Sequence, residues 1–183
     1  MVLHEYEGKK IFEKYGILVP RGVLILKGED AGKAYRTLDR WQAVLKGQTH
    51  ERGRMEKGLI RFCSSEDEVL AAVKNMWALG VGAVLIEEKL EVAEERELSI
   101  AHDENLGQPV LEYGPRGADK ERHVLDIHAD ADLPSAGFPH IPYSQAFWNL
   151  YRREKASVVA AKPLGRIPDS SWVALDVRVA LEE

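Results

Sequence analysis

The sequence predicts an α+β fold. Strand-length apolar runs alternate with amphipathic helical runs in the first half, strands dominate the second half, and Gly, Pro and Asp-Ser turns separate them. No internal repeat and no low-complexity tract breaks that order.

His4–Tyr15 reads as a helix, with Ile11, Phe12 and Tyr15 on one face and Gly16 as its stop. Val23–Leu26 predicts a short strand, and the Gly28-Glu29-Asp30 turn leads into a helix over Ala31–Leu38. Ala43–Lys46 predicts a buried strand that delivers Lys46 to its end. Gly47–Lys57 is polar, basic and aperiodic, the signature of a loop. Leu59–Cys63 resumes a strand. Ser64 or Ser65 caps the next helix, with Glu66, Asp67 and Glu68 in its positive first turn and Val69, Leu70, Val73 and Trp77 facing inward. Gly80 and Gly82 end it. Ala83–Glu87 is the most apolar strand, and Glu95–His102 with Pro109–Tyr113 predicts a hairpin about Asn105-Leu106-Gly107. Asp126–Pro142 reads as irregular and Gln145–Arg153 as a short helix. Ser157–Ala161 and Trp172–Leu181 are strands, with a turn near Pro168-Asp169-Ser170-Ser171 between them.

At 183 residues, 45% apolar and 30% charged, the chain can build one substantial core or two small lobes. A net charge of −5 argues against nucleic acid as a partner, although a local basic loop can still hold phosphate. The lone Cys63 cannot form an internal disulfide, which points to the reducing cytoplasm. No leading apolar segment and no long apolar run is present, so neither secretion nor a membrane is expected.

The chain opens with LHEYEGKKIFEKYGILVPRG, Leu3 to Gly22. A charged amphipathic run closes on Gly16 and passes into Pro20 and Gly22. Nearly every position fits the pattern LHEY…K.(I/L)F..YGI.VP.G, and the segment resembles the opening of the β subunits of the succinyl-CoA synthetase family, with its malate-CoA ligase and ATP-citrate lyase relatives. The resemblance implies an ATP-grasp fold, two small lobes around a nucleotide cleft. The lobes would span approximately 1–22 plus 95–183, and 23–94.

Val44–Gly58 is similar to the family's VVK.Q...GGRGK.GG segment. There the strand-end lysine holds phosphate and a glycine-rich loop lays backbone N–H groups over it. Lys46, Gln48, Gly53, Arg54 and Gly58 match. Arg52, Met55 and Leu59 stand in place of glycine, and Glu56 in place of lysine. Without the flanking match, Lys46 would read as a solvated surface residue. Val84–Glu95 resembles the hinge strand, which implies that Glu87 and Glu95 hold the nucleotide, the latter at the ribose, while Leu90 walls the purine. The bland alternative is an acidic, solvated turn.

Val158–Leu164 with Val173–Val179 resembles the family's EINPL…(A/L)DAK(V/I) strands, which hold Mg²⁺. Asp176 matches one ligand, but Lys162 stands at the asparagine position and Ala160 at the glutamate position. An ammonium cannot ligate Mg²⁺. The expectation is therefore a degenerate metal site in which Lys162 pairs with Asp176; an ordinary surface pair of Asp176 with Arg178 is the alternative. Outside the resemblance, Asp126, His128, Asp130 and Asp132 alternate near His123 and His140, a weak metal candidate.

The match stops near Val179, where family β subunits continue into a second domain. The CoA site and the phosphorylated histidine belong to their partner. The resemblance thus implies a stand-alone, partly degenerate ATP-binding domain, with a CoA-binding α-type subunit as partner and a homo-oligomer left open. The rival is a non-catalytic regulatory or interaction module that kept the fold and lost the Mg-ATP site.

Overall fold

Four helices and ten strands alternate along the chain in a computed structural model that describes residues 1–39, 41–51, 53–128 and 138–182. They separate into two units, Pro20–Leu90 and Met1–Val19 with Glu91–Glu183.

The Pro20–Leu90 unit holds β1 (Gly22–Leu26), α2 (Ala31–Arg36), β2 (Ala43–Gly47), β3 (Ile60–Cys63), α3 (Glu66–Ala78) and β4 (Ala83–Glu88), α2 being numbered after the helix of the leading segment. Its sheet runs β1-β4-β2-β3, antiparallel throughout. Local chemistry starts each helix. The Asp30 carboxylate accepts the Lys33 N–H at 2.9 Å, and Ser65 Oγ accepts the Glu68 N–H at 3.3 Å. Ser65, rather than Ser64, is the cap. Leu45, Val84 and Ile86 point into a core shared with Val69, Val73 and Met76 of α3. Strand alternation then turns Lys46, Leu85 and Glu87 to the opposite face. Leu70, expected inside, is 43% exposed, and Met76 takes the inward position.

The larger unit holds α1 (Glu5–Lys14), β5 (Glu94–Asp103), β6 (Gln108–Pro115), β7 (Glu121–Val124), α4 (Ser144–Arg153), β8 (Ala156–Arg166), β9 (Trp172–Ala174) and β10 (Val177–Leu181). Its sheet runs β10-β8-β5-β6-β7, with β9 pairing to β8. Phe12 of α1 meets Phe147 of α4 edge to face at 5.2 Å, in a core that includes Leu98, Ile100, Val159 and Val179.

Three features depart from the sequence reading. β7, Glu-Arg-His-Val, lacks apolar alternation and is a strand because β6 offers it an edge. β8 runs on through Lys162 and Pro163 to Arg166. The proline is tolerated because the register with β5 shifts there, from Leu98↔Ala161 to Arg96↔Leu164. Trp172–Leu181 breaks into β9 and β10, with Leu175 and Asp176 between them.

Candidate nucleotide site

Lys46 is the penultimate residue of β2 and Glu87 that of β4, on the same face of adjacent strands. Lys46 Nζ lies 3.0 Å from Glu87 Oε2, with the two side chains 9% and 1% exposed. A buried charge of either sign is costly alone, so each residue makes the other tenable. Gly22 stands opposite Glu87 in the β1–β4 register, and a Cβ on it would lie 2.8 Å from Glu87 Cγ. The glycine that closes the VPRG segment therefore makes room for the Glu87 side chain. Gln48, also buried, donates from Nε2 to the Lys46 carbonyl at 2.9 Å and so braces the strand end. Leu90, two residues beyond β4, is half-buried.

The loop after β2 folds back on itself. The N–H groups of Lys57, Gly58 and Leu59 donate to the carbonyls of Gly53, Met55 and Arg54 at 3.1, 3.0 and 2.7 Å. Those three amides are engaged within the turn. Gly53 and Gly58 take φ of +72°, a region glycine enters without steric cost, while Met55 is exposed and Lys57 pairs with Glu51. Leu59, at a family glycine position, is buried in the core of its unit.

In the larger unit, Glu95 lies on β5 and bonds to the Arg116 guanidinium, Nη1 to Oε2 at 2.7 Å. Asp176 lies in the turn between β9 and β10. The Lys162 N–H donates to the Asp176 carbonyl at 2.9 Å, while the Lys162 side chain is exposed. The buried Lys9 of α1 secures that turn: its ammonium donates to the Leu175 carbonyl at 3.0 Å and pairs with Glu5 at 3.1 Å.

The motif reading singled out neither Arg116 nor Lys9. Lys9 lies inside the opening motif that carries the resemblance. Arg116 lies in a Gly-Pro-Arg-Gly turn with no periodicity to mark it. Of the alternating Asp/His segment, Asp130 and Asp132 fall outside the described residues. Asp126 Oδ1 accepts the His128 N–H at 2.8 Å, and His123 and His140 both contact Glu121 instead, at 3.3 and 3.1 Å. Among the described residues no three of His, Cys, Asp and Glu are placed to share a metal. At the two positions where the resemblance puts Mg²⁺ ligands, the donor set is one carboxylate and one ammonium. That chemistry does not fit a hard divalent cation.

The comparisons with known proteins define the class of fold first. Acetyl-coenzyme A synthetase 1 of Ca. Korarchaeum cryptofilum, solved in complex with coenzyme A and Ca-AMPCP, superposes with a TM-score of 0.74 at 20% identity, covering 99% of this chain and 93% of that one. Similarity at that identity establishes the fold. The ATP-grasp domain family matches residues 2–120, and the chain belongs to it. Among curated relatives, the β subunit of succinate–CoA ligase [ADP-forming] of Methanocaldococcus jannaschii is 34% identical over 182 residues, covering 92% of this chain and 46% of the relative. Its counterpart from Myxococcus xanthus is 26% identical over 220 residues, covering 100% and 57%. The chain thus spans about half the length of the curated relatives it matches. The family in general binds ATP with Mg²⁺. No helix among the described residues is long and apolar enough to cross a membrane.

Proposed function

We propose that this chain is a nucleotide-binding ATP-grasp module of the acyl-CoA ligase type, partly degenerate, that depends on a CoA-binding α-type subunit for any complete acid–thiol ligase reaction. The observation that carries the reading is the buried Lys46–Glu87 pair, two family-matching residues held at the ends of adjacent strands. In the Pro20–Leu90 unit, Lys46 and Arg54 with Gly53 would meet phosphate, and Glu87 and Leu90 the nucleoside. In the larger unit, Glu95 would meet the ribose. The buried Cys63, its thiol pKa raised by desolvation, suits a reducing cytoplasm.

Affinity should be modest, weaker than about 10 μM, because three loop amides already donate within their own turn. Calorimetry with ATP and adenosine tests this. Wild type should bind both, and Lys46→Met should weaken ATP more than adenosine. Absence of ATP binding by a folded wild type would refute the reading.

A second reading, a non-catalytic regulatory module, is favoured by the same closed loop and by Lys162 at a metal-ligand position. The two readings part on one assay. Transfer of the γ-phosphate to a histidine of a co-expressed CoA-binding subunit would establish the ligase role. ATP binding without transfer would support the regulatory one.

A further inference from the structure

The outer face of the six-strand sheet of the larger unit carries charges that neutralise one another. On β5, Leu98 and Ile100 point into the core, so Glu95 and Glu97 point the other way. On β10 and β8, Val177 and Ala161 pair within the core, which places their neighbours Asp176 and Lys162 on that same outer side. Two cations arrive from the segment joining β6 to β7. Arg116 Nη1 lies 2.7 Å from Glu95 Oε2, and Lys120 Nζ lies 2.9 Å from Glu97 Oε2. The Lys120–Glu97 side chains are only 21% and 17% exposed. The turn is shaped for this approach, since a Cβ on Gly114 would lie 3.0 Å from both the Asp119 carbonyl oxygen and Lys120 Cα. Arg116 also feels Glu97 and Asp176: after its hydrogen bond to Glu95 and that residue's charge, both favour its protonated form against desolvation.

We propose that Arg116, with Lys120, is a built-in counter-ion on this face. The two side chains take the place of the divalent cation that the resemblance puts beside Asp176. Glu95 and Glu97 are each engaged by a cation of the chain itself, Arg116 and Lys120, and Lys162 and Arg178 lie on the same outer side as Asp176, so the face holds no excess negative charge to recruit a metal. A guanidinium is a permanent charge with a planar fork of donors, so it can face a carboxylate and a phosphate together. Arg116 is thereby a positioning residue for Glu95, and with Lys120 it supplies positive charge on the face where Asp176 lies.

The proposal rests on reading this face as part of the nucleotide site, and the test separates the two. Mn²⁺ is titrated into the nucleotide-free protein and followed by water-proton relaxation. Wild type and Arg116→Lys should show no saturable Mn²⁺ binding up to about 1 mM, whereas Arg116→Gln/Lys120→Gln should bind at least about tenfold more tightly and lose the ion on adding Asp176→Asn. Arg116 is exposed, and glutamine at 120 keeps a hydrogen-bond donor beside the half-buried Glu97, so these variants should fold. Saturable binding in wild type that Asp176→Asn removes would overturn the proposal. So would a double variant that gains nothing, or Arg116→Lys gaining as much as the glutamine variant. In a second arm, ATP affinity of wild type should change by less than about threefold between EDTA and Mg²⁺. Mg²⁺ tightening ATP more than that in wild type would also overturn it. Complete failure to bind ATP would sink the nucleotide reading, while the Mn²⁺ titration would still decide the counter-ion.

Discussion

Lys46 and Glu87 rest on a backbone arrangement that begins at Gly22. With Glu87 Cγ 2.8 Å from where a Cβ would sit, Gly22→Ala must push the Glu87 side chain or part β1 from β4. The expected cost is about 1–3 kcal/mol, the usual range for overpacking a tight site, read as a fall in the midpoint of urea unfolding. An unchanged midpoint would mean that Glu87 moves aside freely. Removing one partner of the pair should cost more. Lys46→Met leaves the Glu87 carboxylate buried without its nearest counter-charge, so a loss of about 3–5 kcal/mol is expected. The double change Lys46→Met/Glu87→Leu should recover much of it, because it removes both desolvated charges together. A double variant as unstable as the single one would show that the pair's attraction outweighs its desolvation.

Two helices of the larger unit meet through one carboxylate. Glu154, just beyond α4, accepts from Lys14 Nζ at 2.7 Å and from the Tyr15 hydroxyl at 2.8 Å, tying it to the C-terminal end of α1. Lys14 and then Tyr15, through their hydrogen bonds, hold the Glu154 pKa below its ordinary value against desolvation. A lowered folded-state pKa stabilises the protein above the unfolded value, near 4.3, and that contribution fades as pH falls through the folded value. Tyr15 behaves in the opposite sense. Burial, then its bond to Glu154, raises its pKa from 10.0 to about 12, so its share is complete below 10.0 and is lost as pH rises toward about 12. The melting-temperature gap between wild type and Glu154→Gln should therefore be widest between these limits. It should narrow below about pH 4.3 and again above about pH 10. A gap independent of pH would remove Glu154 from this role.

Each unit owns a core and a sheet. Every ladder partner of β1 to β4 lies within Pro20–Leu90, and α2 and α3 pack on the same sheet. A chain limited to residues 20–90 should therefore fold and melt cooperatively by circular dichroism. A sloping, non-cooperative melt would mean that this core is too small to stand alone. The larger unit is assembled from two stretches of chain, with the Leu3 N–H donating to the Val179 carbonyl at 3.0 Å and Phe12 fully buried among its neighbours. Phe12→Ala should destabilise that unit by about 3–5 kcal/mol, read from its unfolding midpoint. Loss of helix from the Pro20–Leu90 unit in that variant would contradict two separate cores.

Local signals made the order and type of most elements legible: helical periodicity in α1 and α3, the Gly28-Glu29-Asp30 turn before α2, the serine pair before α3, and apolar runs for β2 and β4. These depend on neighbours a few residues away, and so did the strand positions of Lys46 and Glu87. Contact between those two depends on the register of β2 against β4, which no local pattern encodes. The same holds for β7, whose polar residues become a strand only beside β6, and for Pro163, admitted by a register shift. Arg116 reached Glu95 by way of a turn closing over Gly114. The sequence by itself determined which residue types stand at the positions proposed to meet a nucleotide, with a lysine where the resemblance expects a metal ligand. Only the tertiary structure decided which charges meet, because ion pairs form between side chains that strand register and turn closure bring within a few ångströms.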